Sequence, residues 1–125
     1  MTNEEIVETL NKLTYHVSLL GETINYNQHP IEALILSKNW GREDINKAHD
    51  IFEKWDGLLE NGGKMSTSAF ERDFKVELGL SYQGLKSVVL AFYRNHQWTN
   101  VCEAYVDAFG SAPSMEFHSI MRRER

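Results

Sequence analysis

Apolar residues recur over the first 24 positions at alternating intervals of four and three: Ile6, Leu10, Leu13, Val17, Leu20 and Ile24. That period keeps one seam of a helix turned toward a neighbouring helix. Thr2 and Glu5 make a T-x-x-E capping pattern just ahead of it, so the spacing predicts a helix from Asn3 to about Asn25. Gly21 lies within it and weakens it by about 1 kcal/mol relative to alanine.

The same periodicity continues in shorter runs. Pro30 suits the first turn of a second helix, and Ile31, Leu34, Ile35 and Leu36 give that helix an apolar surface wide enough for a central position. A third helix opens on Glu43 and Asp44, which favour the positive end of its dipole. It carries Ile45, Ala48, Phe52, Trp55 and Leu59, a second long stripe able to pack lengthwise on the first. Asn61-Gly62-Gly63 is a strong stop signal, and Asn61 to Lys64 is the expected sub-domain hinge. Ser68 and Glu71 form another capping pattern for a fourth helix, lined by Phe70, Phe74 and Leu78 and ended by Gly79. Ser81 can cap a fifth with Leu85, Val88, Val89 and Phe92 inward. A sixth carries Trp98, Cys102, Tyr105, Val106 and Phe109, with Gly110 placed to end it. The pattern predicts an all-α, multihelical bundle of about six helices with a long N-terminal heptad helix. Residues 1–110 form one helical domain, and 111–125 form a C-terminal extension with a basic end.

Composition narrows the function classes. A net charge of −5 over 125 residues argues against broad binding to nucleic acid or membrane surfaces, which needs clustered cations. The acidic start, Met1 to Glu8, is followed by no long apolar segment, and no stretch approaches a membrane span, so a cytoplasmic location is expected. Cys102 is the single cysteine and sits in an apolar helical pattern, which reads as a small buried hydrophobe. His49 and Glu53 stand four apart, a spacing that presents two metal ligands on one helix face, but no third ligand lies near them in sequence. A solvated polar face explains the pair, and no metal or cofactor is expected. No nucleophile–base grouping and no phosphate-cradling glycine loop can be assembled, so the chain reads as non-enzymatic.

One segment admits a different function. Leu78-Gly79-Leu80-Ser81 between two apolar-lined helices resembles a helix-turn-helix, and Tyr82, Gln83, Lys86 and Ser87 would then face a major groove. The alternative is therefore a DNA-binding regulator acting through residues 70–94. Its cations, Arg72, Lys75, Lys86 and Arg94, are few and mixed with Asp73 and Glu77.

The front half resembles the YhaI-like family of small helical Firmicutes proteins. The likeness rests on Leu10, Leu13, Tyr15, Val17, Leu19 and Leu20, then Pro30, Ala33 and Leu34, then Gly41-Arg42-Glu43-Asp44. It continues through Phe70, Leu78 and Val88 to Tyr93, and ends on Val106-Asp107-Ala108-Phe109, so it spans roughly residues 4–109. It implies an all-helical chain assembled as an intertwined homo-oligomer. It carries no catalytic or binding residues with it.

These features lead to one expectation of function. The chain is a homo-oligomer through Ile6, Leu10, Leu13, Val17, Leu20 and Ile24, and it acts by binding another protein. A phage or mobile-element inhibitor of a host protein fits that description. Trp40 and Trp98, at helix junctions, are the tryptophans expected to be exposed for such a partner. Arg122, Arg123 and Arg125 at the basic end are the charges expected to grip it.

Overall fold

The computed structural model describes residues 1–25 and 27–109, together with Phe117 and Ile120. Among them are six helices and no strand: α1 (Asn3–Glu22), α2 (Pro30–Lys38), α3 (Arg42–Glu60), α4 (Thr67–Leu78), α5 (Tyr82–Arg94) and α6 (Thr99–Asp107). The all-α, multihelical architecture expected from the periodicity is what forms.

Local chemistry sets most of the boundaries. Thr2 caps α1: its hydroxyl accepts from the Glu5 N–H, and the Glu5 carboxylate accepts from the Thr2 N–H. The helix stops at Glu22, earlier than the heptad suggested, and Ile24 falls beyond it. Thr23 ends it by donating its hydroxyl to the Leu20 carbonyl, which a continuing helix would have paired with Ile24. Asp44 accepts from the Gly41 N–H at 2.8 Å and so fixes the start of α3. The fourth helix begins differently from expectation. Its cap is Ser66, whose hydroxyl accepts from the Ala69 N–H, and Ser68 lies inside the first turn. Ser81 caps α5 as expected, accepting from Gly84. Gly79 joins the two helices at φ 66°, a left-handed conformation that a side chain would strain.

The core lies among α2 to α6. α3 packs on α4 and α6, while α5 packs on α2, α4 and α6. Phe52 sits at its centre, fully buried, with ring centroids 4.7 Å from Phe92, 5.5 Å from Phe74 and 5.8 Å from Phe70. Phe117 and Ile120 of the C-terminal extension are buried in the same core, Phe117 edge-on to Tyr105 at 5.8 Å. Polar clips tie the helices at the rim. Asp73 on α4 accepts from both the Trp55 indole N–H and Lys54 of α3, each at 2.8 Å. The Tyr105 hydroxyl donates to Glu71 at 2.6 Å. Burial, and then the hydrogen bond and charge of Glu71, hold that phenol protonated far above its usual range. Tyr105→Phe removes the donor and should lower unfolding free energy by about 1 kcal/mol in urea denaturation.

α1 is the exception to this packing. It has no buried residue, and no other described helix lies along it. The stripes of α1 and α3 therefore do not pack lengthwise on each other. The α3 stripe is taken up by α4 and α6, where Phe70, Phe74 and Tyr105 supply aromatic area that the aliphatic seam of α1 does not.

Candidate functional site

The strongest candidate is the uncovered seam of α1. Ile6 is 42% exposed, Leu10 55%, Leu13 52%, Val17 52% and Leu20 66%. Val7, Tyr15 and Leu19 on the same helix are exposed as well. Five of the six seam residues lie on this helix at the heptad spacing and Ile24 lies past its end; spacing did not say that the rest of the chain leaves the five bare. Exposed apolar residues on this scale make α1 the candidate surface.

Two hydroxyls of α1 are satisfied within the helix. Thr14 donates its hydroxyl to the Leu10 carbonyl at 2.8 Å, and Ser18 donates to Thr14 at 2.9 Å. Neither hydroxyl needs water. The helix's described ion pair, Glu8 with Lys12 at 3.5 Å, lies in solvent and contributes little.

The other sequence candidates fare differently. Neither Trp40 nor Trp98 is exposed; both are half-buried against the core. Trp98 donates its indole N–H to His49 Nδ1 at 3.1 Å and stacks near-parallel to Phe52, with centroids 6.4 Å apart. Those contacts hold it in a left-handed backbone conformation (φ 54°) that a bulky residue otherwise avoids. Its position at a helix junction suggested exposure, yet the strained turn swings the ring inward. Arg122, Arg123 and Arg125 lie outside the described residues, as does Gly110.

His49 is half-buried, accepts from Trp98 and meets Phe92 edge-on at 5.1 Å, so the solvated polar face expected for the pair holds for the exposed Glu53 and not for His49, which packs against the core. Among the described residues no group of three metal-ligating side chains converges. Lys86, expected to face a DNA groove, is buried at 6% exposure with its ammonium over the Tyr82 ring at 5.1 Å. That burial turns away from solvent the cation the helix-turn-helix interpretation places in the groove. Arg72 and Lys75 remain beside an open cleft at the Gly79 turn, with Glu71 among its lining residues.

Cys102 is fully buried and donates weakly to the Val89 carbonyl. Burial, reinforced by the nearby Glu103 charge, pushes its thiol up to about 12. A thiol reagent at pH 8 should therefore label Cys102 only as fast as the chain unfolds; rapid labelling of native protein would contradict this. The unfolded chain loses the thiol proton above its ordinary value of 9.0, while the native chain keeps it up to about 12. Stability should accordingly fall as pH rises across that window, less steeply in Cys102→Ala.

No helix is long and apolar enough to cross a membrane among the described residues. No family model matches the chain, and neither a curated protein nor a solved structure does.

Proposed function

We propose that this chain is a non-enzymatic helical protein that works by binding: copies hold one another through α1, and the assembled surface docks on another protein. The carrying observation is the bare apolar seam on a capped, 20-residue helix with no buried residue. Ordering such a helix in water with nothing against it is unfavourable, since helical stability comes mostly from packing an amphipathic face. The likeness to the YhaI-like family leans toward the same assembly. The acidic balance of −5 suits a partner with a basic face, such as the nucleic-acid channel of a host nuclease, which is the kind of target a phage-borne inhibitor would block.

Sedimentation equilibrium tests the first half. The protein should sediment well above its single-chain mass of 14.5 kDa at micromolar concentration. A single chain across the whole accessible range would overturn the proposal. The second half is tested by capture from host lysate, followed by measuring whether the captured enzyme loses nucleic-acid binding when the protein is added back.

A further inference from the structure

We infer that two copies of this chain pair through α1 in antiparallel orientation, so that Val7 of one copy lies over Gly21 of the other. This deepens the self-association proposed above and rests on it.

With Ile6 at position d of a heptad, Leu10 and Val17 fall at a, and Leu13 and Leu20 at d. The flanking e positions are Val7, Thr14 and Gly21, and the g positions are Thr9, His16 and Thr23. Every carboxylate and ammonium of α1 (Glu4, Glu5, Glu8, Lys12, Glu22) lies at b, c or f. A parallel pair is normally fixed by oppositely charged g and e residues across the seam. α1 offers no such pair, so nothing at the rim favours parallel alignment.

Four features favour the reverse alignment. First, the intervals read the same in both directions, so Leu10 meets Leu20 and Leu13 meets Val17 without loss of any inner layer. Second, the flanks then match in size. Val7 faces Gly21, where a side chain would meet nothing within 4 Å in the single chain. Thr14 faces its own copy with its hydroxyl already bonded to Leu10. His16 likewise faces His16 at the edge of the seam. Third, Glu4, Glu5 and Glu8 crowd the N-terminal end. A parallel pair would gather both clusters at one end, whereas antiparallel helices hold them roughly 30 Å apart, beyond the screening length of about 8 Å. Their macrodipoles are then opposed as well.

Fourth, α1 leads through a short connection into the body formed by α2 to α6. A body of residues 30–109 is roughly 30 Å across, while packed helix axes lie about 8–10 Å apart. Parallel helices would bring two bodies to the same end and make them compete for room. Antiparallel helices place them at opposite ends.

The test uses disulfide mapping on the full chain, with Cys102 left in place because it is buried. Leu10→Cys/Leu20→Cys is oxidised mildly and digested; cleavage after Lys12 separates the two positions. Cross-links joining position 10 of one copy to position 20 of the other are expected. Links of 10 to 10 and 20 to 20 would overturn the orientation while leaving self-association standing. So would an assembly that sediments normally yet forms no link, since α1 would then dock elsewhere on the second copy. A single sedimenting chain would overturn the self-association itself. Independently, Gly21→Leu should weaken association at least tenfold, and Val7→Ala should restore part of the loss. Association of Gly21→Leu at the native strength would overturn the Val7–Gly21 contact.

Discussion

Leu13→Asp and Val17→Asp should each release the chain as single copies, with the fold of the body intact. In one copy these side chains are 52% exposed, so aspartate there meets water and disturbs no core residue. The loss of helix propensity is a few tenths of a kcal/mol. In a paired seam the same carboxylate is driven between apolar side chains with no partner, which costs several kcal/mol. Three kcal/mol is already more than a hundredfold in dissociation constant, and both copies of a symmetric pair carry the change. Sedimentation should therefore shift to the single-chain mass, while the near-ultraviolet signal of Trp55 and Trp98, buried and half-buried in the body, stays as it was. An unchanged assembly in both variants would remove α1 as the interface. Loss of the tryptophan signal would mean that the body needs α1 in a way the bare helix does not show.

Phe52→Ala should do the opposite: little to the seam and great harm to the body. Phe52 is fully buried on α3 and touches the rings of Phe70, Phe74, Phe92 and Trp98, drawn from α4, α5 and the turn before α6. Its truncation leaves a cavity where the helices meet, with an expected cost of about 3–5 kcal/mol. Domains of this size are stable by only about 5–15 kcal/mol, so much of the total is at risk. Leu36→Ala, at a residue 48% exposed on α2, should cost well under 1 kcal/mol by the same denaturation measurement. Similar losses from both substitutions would show that the centre of the core is misplaced.

The elements themselves were legible because their signals are local. A helix cap needs a hydroxyl and a backbone N–H three residues on, and Thr2 and Ser81 both supply it where expected. The error at α4 has the same origin: Ser66 and Ser68 are both competent caps, and it is the Ser66 hydroxyl that accepts from the Ala69 N–H. The inward faces of α3, α5 and α6 were legible too, since periodicity reports which residues share a side.

The candidate site was only half legible. The seam residues of α1 could be named from spacing alone, but spacing is identical for a stripe covered by its own chain and one covered by another. Lys86 and Trp98 show the same limit from the other side. Each looked available in sequence, yet Lys86 is buried with its ammonium over the Tyr82 ring, and the Trp98 indole stacks on the buried Phe52.

What the sequence by itself determined is the set of helices, their caps and breaks, and the face each one presents, because these follow from contacts within about four residues. Only the tertiary structure decided which faces find partners. The aromatic stripes of α3 to α6 satisfy one another around Phe52, and that closed core has no place for the aliphatic seam of α1. Burial is a property of the whole packed body, so an identical pattern of apolar residues became core in one helix and free surface in another.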